Sequence, residues 1–219
     1  MIVGYILVIL ALLEVFLGLY FLFRYQKSLT SVCYALFALG SAVYVGSNGI
    51  GYLTGSYFVG ERLGWVGGVL ATTFFLPFSY SFPYPRKKLS ELLPWILWPL
   101  ITFGLGILPT ELFIENPGGL RYGEGYKTAS GDYFWLLLTF LLVYWAWSVT
   151  NLIRAYRTSG GSQRKLVQYV MIGTFISLAG SMVFDVAVPL IVPSHFGYVG
   201  SLLTSAWLGM TAYILVRKV

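Results

Sequence analysis

Long apolar runs recur along this chain, and short polar loops interrupt them. The first run, MIVGYILVILALLEVFLGLYFLF, is closed by RYQKSLT. An α-helix rises about 1.5 Å per residue, so about 20 apolar residues cross the roughly 30 Å hydrocarbon core of a bilayer. Runs of that kind are expected at about 2–23, 31–54, 62–82, 92–109, 132–153, 166–188 and 197–216. The predicted fold class is an all-α integral membrane protein, a seven-transmembrane helix bundle forming one domain over 1–219. Composition agrees: 58% of the residues are apolar and 10% are charged, against roughly 25% charged in an ordinary soluble domain. Buried in a single water-soluble core, that much apolar surface would have nowhere to go.

The cations test the count. Numbering the loops alternately puts Arg24, Lys27, Arg86, Lys87, Lys88, Arg154, Arg157, Arg164, Lys165, Arg217 and Lys218 on one side, 11 of the 14 Lys and Arg residues. The other side holds Arg62, Arg121 and Lys127 with Glu61, Glu111, Glu115, Glu124 and Asp132. Positive loops stay in the cytoplasm, which predicts an outside N-terminus, a cytoplasmic C-terminus and a multi-pass protein of the cell membrane. The net charge of +6 therefore reads as topology, with the bilayer as partner and no nucleic acid. The start has no basic n-region and no A-x-A site, so it is expected to be a first span rather than a cleavable signal. The single cysteine, Cys33, excludes an intramolecular disulfide and is expected to pack as a small apolar residue.

A few polar groups fall inside or beside the spans. Glu14 lies near the middle of the first, where a charged carboxylate is costly and must face the bundle. Asn48 and Asn151 offer amides at other depths, Asn151 near headgroup level. Thr72 and Thr73 can bond to their own helix. Asp185 lies about one turn inside the outer end of the sixth span, and His195 follows in the outer loop. Two readings are open for this end: an outward-facing polar pocket holding Asp185 with Glu61, Asp132 or His195, or a half-wet aspartate bonded to a nearby tyrosine or backbone group and a solvated loop histidine. Trp65 and Trp135 fit outer interface anchors, and Tyr84 and Tyr156 inner ones. Pro77, Pro94, Pro99 and Pro109 can kink their helices.

Several chemistries lack their residues. There is no H-E-x-x-H, no G-x-x-x-x-G-K-[ST] and no G-x-S-x-G. One histidine cannot build a histidine-rich metal centre, and the last span has no lysine for a retinal Schiff base. No metal site, cofactor or catalytic set is expected, and no internal repeat of the transporter kind is visible.

The stretch QRKLVQYVMIGTFISLAGSMVFDVAVPLI, continued by GYVGSLLTSAWLGMTAYILVRKV, resembles the N-terminal seven-helix sensor region of prokaryotic histidine kinases. Arg164, Gln168, Gly173, Asp185, Pro189, Ala212, Tyr213 and Arg217 carry the likeness, with FLPFSYSFPYP ending the third span at Phe82 and Pro83. The resemblance implies an input module that relays an external or bilayer signal, a small ligand among them, to a cytoplasmic output domain or protein, working as a homodimer. With no phosphoacceptor histidine or ATP-binding lobe between Met1 and Val219, this chain alone is expected not to be an enzyme. Two alternatives stay open: a small transporter or channel-like protein using Glu14, Asn48 and Asp185, and a non-catalytic membrane assembly protein.

Overall fold

The computed structural model describes residues 1–56, 58–86, 88–104, 106–107, 112–113, 131–188 and 198–218, apart from the side chains of Leu89, Asp185, Val186 and Lys218. The helices are α1 (Ile2–Arg24), α2 (Leu29–Thr54), α3 (Gly64–Ser81), α4 (Leu89–Pro99), α5 (Phe134–Thr158), α6 (Gly161–Ser181) and α7 (Tyr198–Lys218). Three π-helical segments adjoin them: Phe58–Leu63 before α3, Leu100–Gly104 after α4, and Met182–Ala187 after α6. Six of these helical stretches are long and apolar enough to cross a membrane: Ile2–Arg24, Leu29–Thr54, Phe58–Ser81, Phe134–Thr158, Gly161–Phe184 and Tyr198–Arg217. The chain is a multi-pass membrane protein.

The fourth expected span differs from the others. Its apolar helix, Ser90–Phe103, is shorter than the six. It starts earlier than the apolar run at 92 because the Glu91 carboxylate accepts the Lys88 backbone N–H at 3.3 Å, satisfying a donor at the helix start. It turns π-helical directly after Pro99, which has no N–H to donate. Pro109, also expected to kink a span, lies outside the described residues, as do Pro189, Glu111, Glu115, Glu124, Arg121 and Lys127.

Side-chain contacts give the direction of every helix. Phe21 of α1 meets Tyr34 of α2, and Tyr34 meets Phe78 of α3. Thr30 Oγ1 donates to Ser81 O at 2.7 Å, joining the start of α2 to the end of α3. Arg86 reaches the Asn151 carbonyl near the end of α5. Tyr34 Oη donates to Leu208 O of α7 at 2.8 Å. Arg164, at the start of α6, stacks over Tyr156, 4.4 Å from the ring centroid. One end of the bundle thus collects the described rim cations Arg24, Lys27, Arg86, Lys88, Arg154, Arg157, Arg164, Lys165 and Arg217. Lys87 lies outside the described residues, and the side chain of Lys218 is not described.

At the opposite end Trp65, at the start of α3, packs edge-on against Phe134, at the start of α5. So α3 and α5 run parallel. Between them α4 runs antiparallel to α5. Trp95 packs on Trp147, and Trp98 and Phe103 on Phe140.

Apolar burial does not drive helices together in lipid; close packing does. The α2–α3 crossing shows how near two backbones come. A methyl on Gly40 would lie 2.6 Å from Ala71 N, and one on Gly67 would meet Tyr44 N and Cα. Phe37, Phe75, Trp145 and Trp207 interlock at the centre, with Phe75–Trp145 centroids 4.6 Å apart and Phe37–Trp207 centroids 5.0 Å apart. Cys33 is buried in the same cluster, as expected.

Candidate functional site

Space remains between α2, α3, α5, α6 and α7, toward the end opposite the basic rim. There the π-helical turn Phe58–Leu63 swings the chain into α3, and a cavity of about 110 Å³ opens. Its walls come from α2 (Phe37, Ser41, Tyr44, Asn48), the π turn and α3 (Glu61, Trp65, Thr72), α5 (Leu141, Trp145), the end of α6 (Ser181, Met182) and α7 (Thr204). Gly60, Gly64, Gly68 and Ala71 line it too, three of them with no side chain and the fourth with only a methyl to fill it. The volume suits a few waters or a small molecule.

Most of the polar lining is tied to specific partners. Glu61 is buried, and its Oε1 accepts from Trp65 Nε1 at 2.9 Å. Trp65 thus forms a wall of the cavity, its indole N–H held by a carboxylate one turn back. Thr72 Oγ1 accepts from Trp145 Nε1 at 3.1 Å, joining α3 to α5 instead of bonding to its own helix. Asn48 Nδ2 donates to Ser201 Oγ at 3.0 Å, and Ser177 and Thr204 hydroxyls pair at 2.9 Å. Ser205 Oγ donates to Glu14 Oε1 at 2.6 Å. Ser201, Thr204 and Ser205 therefore form a polar seam along α7 that touches α1, α2 and α6.

A second polar cluster holds the basic end. The Arg86 guanidinium donates to the carbonyls of Ser79 (2.8 Å), Asn151 (3.1 Å) and Phe82 (3.4 Å). Partial burial pulls it below its ordinary value, chiefly through lost hydration, yet an arginine stays protonated under such a shift. Asn151 Nδ2 donates to Ser79 Oγ at 3.2 Å, and Trp147 Nε1 to Tyr80 Oη at 2.8 Å. Asn151 is 1% exposed, enclosed in the α3–α5 interface.

The residues singled out from sequence separate clearly. Glu61 and Asn48 line the cavity together. Glu14 is buried behind it, between α1 and α7. Asp132 is exposed and lines nothing described. The backbone of Asp185 lies in the π segment one turn beyond Met182, which lines the cavity, but its side chain is not described; His195 lies outside the described residues. Trp135 is exposed as an anchor should be, and so is Tyr84. Sequence reading missed Ser41, Tyr44, Trp145 and Thr204, which reach the cavity only through the way four helices cross. Among the described residues no group of three or more His, Cys, Asp or Glu side chains could hold a metal ion.

Comparison with protein-family models, with curated proteins and with solved structures finds no match for this chain.

Proposed function

We propose that the chain is a receptor-like membrane sensor, an input module without catalytic activity of its own, that passes an external or bilayer signal to a cytoplasmic output domain or partner. The observation that carries this reading is the cavity. It lies toward the end opposite the basic rim, and its walls come from α2, α3, α5, α6 and α7 at once. A small ligand there touches helices whose other ends carry the rim, so differential contact in two states would shift the rim. The likeness of the last two spans to the sensor region of histidine kinases supports the same direction of relay. The reading includes seven crossings with the N-terminus outside. The parallel run of α3 and α5 supports it, since the chain must return between them and α4 is the segment that lies antiparallel.

The test uses the purified chain in lipid nanodiscs. A small-molecule panel is screened by thermal shift. Spin labels at Lys88 and Arg217 then report the separation of the rim ends of α4 and α7 with and without the binder. The proposal expects a change in the distance distribution. A ligand that binds the cavity and leaves that distribution untouched refutes it.

One observation favours a second reading as a small transporter. The seam Asn48–Ser201–Ser205–Glu14 runs from beside the cavity to mid-depth on α1. Flux of a small solute into proteoliposomes, lost in Glu14→Gln, would select it over the sensor.

A further inference from the structure

The cavity that carries the sensor reading also restricts what can fill it. Its hydrogen-bonding groups are engaged within the protein. The indole N–H of Trp65 donates to Glu61 Oε1, and that of Trp145 to Thr72 Oγ1. Asn48 Nδ2 donates to Ser201 Oγ, the Thr204 hydroxyl pairs with that of Ser177, and Ser41 is a side-chain hydrogen-bond partner of the Glu14 carboxyl. Among the described residues of the wall there is no lysine, arginine or histidine. An anion would therefore meet no cation there, and a polar ligand would give up its water for few unspent partners. What remains is ring and hydrocarbon surface. Phe37 and Tyr44 of α2, Trp65 of α3 and Trp145 of α5 supply the rings. Trp65 lies edge-on to Phe134 at 5.3 Å and Trp145 lies 4.6 Å from Phe75, between centroids. Each indole is thus held by a hydrogen bond and a ring contact, so this part of the wall is formed before any ligand arrives.

We propose that the cavity binds one small neutral aromatic ring, with or without a short alkyl substituent, recognised by shape and ring contact rather than by charge or hydrogen bonds. The size fits: about 110 Å³ approaches the roughly 150 Å³ of an apolar cavity that takes up benzene. The chemistry fits as well. Aromatic pairs favour offset or edge-on contact, and rings on three helices offer both to a single guest. At Gly68 the wall carries no side chain, and a methyl there would meet nothing within 4 Å, which leaves room for the substituent. The inference rests on the small-ligand reading above and deepens it. The two fail differently. A bound ring with an unmoved rim sinks the relay alone, whereas a charged or hydrogen-bonding ligand in the cavity sinks the ligand class alone.

The experiment is fluorine NMR of the full chain in phosphatidylcholine nanodiscs, read against empty nanodiscs so that partition into lipid cancels. Two pairs of equal shape are titrated: para-fluorotoluene against para-fluorophenol, and para-fluoroethylbenzene against para-fluorobenzylammonium. The apolar member of each pair should bind tighter, by about tenfold, because its counterpart buries a polar group with no unspent partner on the wall. This comparison needs no variant. Gly68→Leu, checked for helicity and monodispersity, should then remove the line broadening of both apolar probes. Equal or tighter binding of the phenol or the ammonium overturns the proposal. So does a wild-type chain that broadens no probe beyond the empty nanodisc, or broadening that survives in Gly68→Leu. Lipid fluorinated at the end of its acyl chain forms the last arm. If its signal, and not that of the free rings, differs between the wild type and Gly68→Leu, a lipid tail is the occupant and the proposal falls.

Discussion

Replacing Gly40 by alanine tests the packing that shapes the cavity. The added Cβ would lie 2.6 Å from Ala71 N, with Leu70 C and Cβ at 2.9 Å. Ordinary contact begins at 3.4 Å, so α2 and α3 must separate by about 0.8 Å along their crossing. Both nearest atoms are backbone and cannot rotate away. Overpacking of this kind costs about 1–3 kcal/mol. Alanine regains up to about 1 kcal/mol of helix propensity over glycine. The net loss expected is therefore about 0–2 kcal/mol, read by reversible unfolding in mixed micelles followed by circular dichroism. Gly209 is the control: it sits within α7, and a methyl there meets nothing within 4 Å, so Gly209→Ala should be neutral or stabilising by up to about 1 kcal/mol. Adding Ala71→Gly to Gly40→Ala should not restore stability, because the clash is with the nitrogen of residue 71 and not its methyl. Equal behaviour of Gly40→Ala and Gly209→Ala, or full rescue by Ala71→Gly, would refute the close α2–α3 crossing.

Arg86→Ala removes the Nη2 donor to three carbonyls at the ends of α3 and α5; it should lower stability by about 1–3 kcal/mol in the same assay. Trp145→Phe keeps the ring stack on Phe75 but deletes the bond to Thr72; a loss of about 1 kcal/mol is expected, together with a change in affinity for any cavity binder found by thermal shift. Gly68→Leu, which adds bulk to a cavity wall where a methyl meets nothing within 4 Å, should abolish such binding while leaving the melt nearly unchanged. Reporter fusions at the two ends of the chain should lie on opposite sides of the membrane; the same side for both would exclude seven crossings.

Six of the helices were legible because they are long, and lipid demands an uninterrupted apolar run with every backbone group satisfied internally. Their directions were legible from the cations, which fall on alternate loops and meet at one end of the bundle. The short fourth helix was harder: Pro94 and Pro99 sit inside it, and an apolar run does not say where a proline will tighten or widen a turn. The polar half of the site was visible in Glu61 and Asn48, since such residues stand out in apolar text. Its aromatic half was not. Trp145 reads as one more tryptophan in α5, and only the crossing with α3 turns it toward Thr72. Arg86 looked like one of many rim cations, whereas its guanidinium is a tie between two helices. Asn151 looked solvated by position, but Ser79 faces it across a gap no single-helix period encodes.

The unequal burial of the helices sets where the bundle can give way. The 18-residue apolar window of Phe58–Ser81 is 67% buried, against 28% for that of Ile2–Arg24. The third span is thus an axle enclosed by its neighbours, and the first is a stave leaning on the outside of the barrel. Saturation mutagenesis should find intolerance around the axle except on the cavity-facing side of Gly68, but along only one stripe of the stave, the side carrying Gly4, Leu7, Ala11, Glu14, Gly18 and Phe21. Motion that enlarges the interior is therefore expected as a slide of the outer staves around the more enclosed axle.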